Sequence, residues 1–108
     1  NYAKVCHSSI MAYSEVIGDY IFNPWNDESE WIKKYIQEMV VFVSEDPKAD
    51  KFDCFEHWRT FMRKSGWTHG HKIDTGDQRH PMLSPKPTIE FLVQFELIIS
   101  IVWALDAN

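Results

Sequence analysis

The segment from Ile89 to Leu105 limits the fold more than any other feature of this chain. Thirteen of its seventeen residues are apolar, from Ile89, Phe91, Leu92 and Val93 through Trp103, Ala104 and Leu105. A run of this kind has to be hidden from water. It falls short of the roughly 20 residues a bilayer span needs, and it carries Glu90, Gln94 and Glu96. A helix apolar nearly all round belongs at the centre of a bundle, so the rest of the chain must supply the elements that surround it.

The patterning provides three such elements. Val5, Cys6, Ser9, Ala12, Tyr13 and Val16 recur at helical spacing and predict a first helix over residues 2–17, ended by Gly18-Asp19. Phe22, Pro24 and Trp25 anchor the connector that follows. Asp27 with Glu30 three residues on reads as a capping box. It opens a second helix whose core face is Trp31, Tyr35, Ile36, Met39, Val40 and Val43. After a polar connector from Ser44 to Lys51, Phe52, Phe55, Trp58 and Phe61 or Met62 form one stripe of a third helix, stopped by Ser65-Gly66. Thr88 caps the final helix. The fold expected is mainly α, a four-helix single domain with a long ordered loop, Trp67 to Pro87, before the last helix.

A chain of 108 residues is one domain, long enough for a core without disulfides or metal, and its five Trp bury much area each. Cys6 and Cys54 lie far apart in apolar patterns and read as free thiols in a reducing compartment. The first residues have neither the basic region nor the apolar run of a secretory leader, so a cytoplasmic location is expected.

The net charge of −5 disfavours a nucleic-acid polymer as partner. Its distribution is uneven: residues 1–58 carry a balance of −6, residues 59–86 of +4, and the remainder of −3. Arg59, Arg63, Lys64, Lys72, Arg79 and Lys86 thus concentrate positive charge around the loop. This is either a solvated basic surface or a place for a compact anion such as a phosphate.

The loop holds the most distinctive residues: Trp58, Gly66-Trp67, Gly70, Asp74 and His80-Pro81-Met82-Leu83. Ala3 to His7, Ala12-Tyr13, Gly18-Asp19 and Glu30-Trp31 add to them. In this pattern the chain resembles the RyR domain, the repeat module of ryanodine receptors, in particular its small free-standing prokaryotic and phage members. His69 stands where that family usually has Tyr, and Ser84 to Ile89 is shorter than the family's segment. The resemblance implies a module that binds an adenine nucleotide or a related signal, with Trp58 stacking on the base.

The residues have plainer readings beside this one. Trp67 and Leu83 suit loop anchors inserted in the core, and Trp58 suits a core residue as well as a stacking surface. Arg63, Lys72 and Arg79 are the candidate phosphate contacts. Trp31, Trp67 and His69 complete the candidate ligand-binding set together with His80, whose ring is expected to fix the loop by bonding to backbone. His69-x-His71 with Asp74 and His80 fits no usual zinc spacing, so no metal or other cofactor is expected. No nucleophile elbow, P-loop, dinucleotide fingerprint or HExxH motif is present. Glu56 and His57 are helical neighbours that do not face each other. A small-molecule binding domain, not an enzyme, is the expectation. The alternative is a protein-interaction or oligomerisation module without a small ligand, its aromatic surface meeting a partner or a second copy of the chain, as in a homodimer.

Overall fold

The structure, a computed structural model, describes residues 1–107. It is a mainly α single domain of four helices: α1 (Tyr2–Ile17), α2 (Glu30–Glu45), α3 (Lys51–Lys64) and α4 (Ile89–Asp106). One 3-10 turn, Trp25–Asp27, interrupts the connector between α1 and α2. Two short strands, β1 (Thr68–His69) and β2 (Arg79–His80), lie in the long loop and pair in parallel, Thr68 with Arg79 and His69 with His80. As its composition demands, α4 packs against all three other helices. No helix among the described residues is long and apolar enough to cross a membrane.

The core is aromatic. Trp58 lies at 0% exposure, stacked on Phe55 at 6.0 Å and met edge-on by Phe91 at 4.8 Å. Ile10, Ile32, Ile36, Met39, Phe95 and Ile98 close the space around it. Cys6 and Cys54 are free and buried, and burial pushes their thiols up to about 11 and about 12. At neutral pH both remain protonated and behave as small apolar side chains.

The helix ends differ in how closely they follow the sequence pattern. Gly18 ends α1 in the left-handed conformation, and the Thr88 hydroxyl accepts from the Phe91 N–H, both as expected. The connector before α3 ends one residue early, because Asp50 and Asp53 form a reciprocal capping box. The start of α2 departs further. Asp27 belongs to the 3-10 turn, and Ser29 is the N-cap residue. Glu28 between them turns inward, where its carboxylate accepts from the Ser29 N–H at 2.9 Å and meets the His7 Nε2 at 2.8 Å.

The same pair rotates α1 relative to the expected face. Its buried positions are Ala3, Cys6, His7, Ile10 and Ser14, while Ala12 is exposed and Val16 is 86% exposed. His7 is enclosed between the ring edges of Phe22 and Trp25.

The loop is held by backbone geometry at two glycines. Gly66 has φ +98°, and a Cβ there would lie 2.9 Å from Gln78 Oε1. At Gly70 a Cβ would fall 2.7 Å from the Cβ of Arg79, so β1 and β2 approach this closely only because the side chain is absent. Arg59 ties the far end of the loop to α3 by donating to the Ser84 carbonyl at 2.9 Å.

Candidate functional site

A partly open cavity of about 210 Å³ lies between the helices and the loop. It exceeds the roughly 150 Å³ that holds a benzene ring and falls below the roughly 300–1,000 Å³ that encloses a drug-sized ligand. A one- or two-ring heterocycle matches it. Ile10, Tyr13, Ser14 and Ile17 of α1 form one wall, and Trp31 and Tyr35 of α2 another. Ile73, His80, Pro81 and Met82 enter from the loop, and Glu90, Phe91 and Gln94 from α4. Asp19, Tyr20 and Phe22 of the first connector complete the lining.

Three polar side chains of this cavity, Ser14, His80 and Gln94, are almost wholly buried. Gln94 is 6% exposed, on a mostly apolar helix. Its Oε1 accepts from the Tyr35 hydroxyl at 2.9 Å, which leaves the amide hydrogens without a partner among the described residues. His80 is 5% exposed. Its Nδ1 accepts from the Met82 N–H at 3.0 Å, so the neutral ring carries its proton on Nε2. Burial pushes the imidazole down to about 4, which keeps it uncharged at neutral pH. The inner wall therefore offers neutral donors and no cation, and suits a carbonyl or ring nitrogen better than a phosphate.

The lowered His80 value fixes a pH dependence. Above about pH 6.5 the ring is neutral in both folded and unfolded chains. As pH falls from there toward 4, the unfolded chain takes up a proton that the folded one does not, and stability drops by roughly 3 kcal/mol across that window. Below it both states are protonated and the loss levels off. Urea titrations of wild type and His80→Gln between pH 7 and pH 4 are expected to diverge by that amount, and parallel curves would exclude it.

A second, shallow groove lies on the outer side of the loop, lined by His71, Lys72, Asp74, Thr75 and Arg79. Ile73 borders both spaces, so an apolar cavity and a basic groove share one wall. The Arg79 guanidinium donates to the His69 carbonyl at 3.2 Å, and the Asp74 and Arg79 backbones exchange hydrogen bonds at 2.9 Å. These bonds hold the groove's shape.

The structure distributes the candidate residues over several environments. Trp31 and His80 line the cavity, and Lys72 and Arg79 line the groove. Trp67 is buried against Trp31, with ring centroids 4.7 Å apart, and Leu83 is buried as a loop anchor. Trp58 has no free face to stack on a base. Its ring packs against His80 in an edge-to-face contact at 5.0 Å, so it buttresses that imidazole. Arg63 and His69 are exposed and line neither space. His69 and His71 stand 6.5 Å apart, and no three His, Cys, Asp or Glu side chains of the described residues converge as metal ligands would.

The motif pattern overlooked Tyr35, Gln94, Asp19, Glu90 and Ile73. One signal was available: Gln94 is an uncharged polar residue in the middle of a helix that has no reason to carry one, and such a residue in a core needs a purpose. Fold and cavity together define the chain as a small, mainly α domain with a ring-sized, partly open cavity. No family model, no curated protein and no solved structure matches it.

Proposed function

We propose that this domain is a small-molecule binding module for a nucleotide or nucleotide-derived signal, serving as a sensor or a sequestering protein. The observation that carries the reading is the shared wall at Ile73, which sets a ring-sized apolar cavity beside a groove bearing Lys72 and Arg79. A base fits the first and phosphates suit the second, since Arg offers a bidentate fork and Lys a point charge. The motif resemblance to RyR domains supports an adenine nucleotide as the starting candidate.

A thermal-shift screen of the purified domain against adenine and guanine nucleotides, ADP-ribose and cyclic nucleotides tests this. A ligand at about 100 times its dissociation constant adds about 2.7 kcal/mol, several degrees or more in Tm for a domain of this size. No shift with any of them would sink the reading. Chromatography of the incubated ligand distinguishes binding from turnover, and the ligand is expected back intact.

A homodimer-forming interaction module is the second reading. It is favoured by Val16, Ile21 and Ile89, each at least 78% exposed at the end of the bundle where the cavity lies. Sedimentation at micromolar concentration separates the two, because a monomer leaves those side chains in water.

A further inference from the structure

Resting on the nucleotide reading, we infer that the cavity selects a guanine-type ring over adenine, with Gln94 and Glu90 as the specificity-determining residues. Hydrogen-bonding groups of different character line the cavity on its buried and its exposed residues. Among the buried lining residues, the Gln94 amide hydrogens are unspent because Tyr35 occupies Oε1, a neutral His80 carries its proton on Nε2, and Ser14 adds a hydroxyl. The exposed lining residues Asp19 and Glu90 carry carboxylates, which accept.

A ligand that satisfies both sets has an acceptor-only edge and, away from it, a donor edge. Guanine has this division: O6 and N7 accept along one edge, and the N2 amine donates from another. Adenine sets its N6 amine beside N7, so an adenine edge turned inward opposes a donor to a donor. A site built from buried hydrogen-bonding groups rejects the ligand that leaves them unpaired. The cavity also fixes which way the ligand points. Phosphates are repelled from Asp19 and Glu90, and the charge-compatible exit runs past Ile73 to Lys72 and Arg79.

The test uses unmodified protein and a ligand series, followed by variants. Isothermal titration with guanosine, inosine and adenosine is expected to rank them in that order, guanosine exceeding adenosine by about tenfold or more, as one good paired edge contributes. Inosine keeps O6 and N7 but lacks the N2 amine, so its deficit against guanosine isolates the carboxylate contact. Glu90→Gln should narrow that deficit, and Gln94→Leu, checked for folding by its own melt, should weaken guanosine and inosine alike. GMP should bind more tightly than guanosine in wild type, and Lys72→Ala should lower that advantage. Adenosine binding as well as guanosine would overturn the guanine assignment and leave the nucleotide reading standing. Failure of every purine nucleoside and of GMP and AMP would overturn both.

Discussion

Replacing Trp58 with alanine is expected to lower stability by about 3–5 kcal/mol, the range for emptying a large aromatic site in a packed core. The indole has no exposed surface and touches Tyr35, Phe55, His80, Phe91 and Phe95, which come from α2, α3, the loop and α4. No single neighbour can move in to fill the gap without giving up another contact. Domains of this kind have a total stability of about 5–15 kcal/mol, so the variant would be partly unfolded near its working temperature. Urea unfolding gives the number directly. A loss below about 1 kcal/mol would show that the ring is not the centre of the core. The variant therefore cannot test ligand stacking, because weakened binding would follow from the lost support under His80. Phenylalanine at position 58 keeps most of the apolar volume and is the better probe of the cavity.

Glu28→Ala is expected to cost a similar amount, about 3–5 kcal/mol, for an electrostatic reason. His7 and Glu28 are fully enclosed and meet at 2.8 Å, and His7 Nδ1 has no partner among the described residues. Removing the carboxylate leaves both ring nitrogens buried and unbonded. It also removes the acceptor for the Ser29 N–H and a negative group from the start of α2, where the helix dipole favours one. Replacing both partners with leucine should recover most of the loss, since two apolar side chains leave nothing unpaired. Chemical denaturation of the two single variants and the double completes the cycle. Additive losses would mean that the two residues do not act as a pair.

That pair also explains where the sequence could be read and where it could not. The four helices, the Thr88 cap, the Gly18 stop and the core positions of Trp67 and Leu83 follow from local rules: periodicity, capping chemistry and the size of the rings. The buried face of α1 does not, because His7 reads as a polar outer residue until its partner, 21 positions away, is known. For the same reason Asp27 looked like the cap of α2, since nothing nearby indicates that Glu28 points inward. The cavity was hidden in the same way. Gln94 takes its meaning from Tyr35, 59 residues earlier, and the two-residue strands of the loop are too short to carry any period. Charge clustering found Lys72 and Arg79 but also gathered Arg63, which only the folded geometry sets apart.

The hydrogen bond from the Tyr2 hydroxyl to Asp106, 2.7 Å long, places the two ends of the described chain side by side. A ring closed there by a short glycine linker would leave every helix contact in place. Opening that ring at the exposed turn around Pro47 and Lys48 would give a circular permutant with the same core and cavity. For the same geometric reason the domain can be spliced into a surface loop of another protein at a single point, entering and leaving through one narrow gate. The proposed ring-binding cavity, carried in that form, would become a portable reporter, because a ligand that stiffens the bundle would also fix the spacing of its two attachment points.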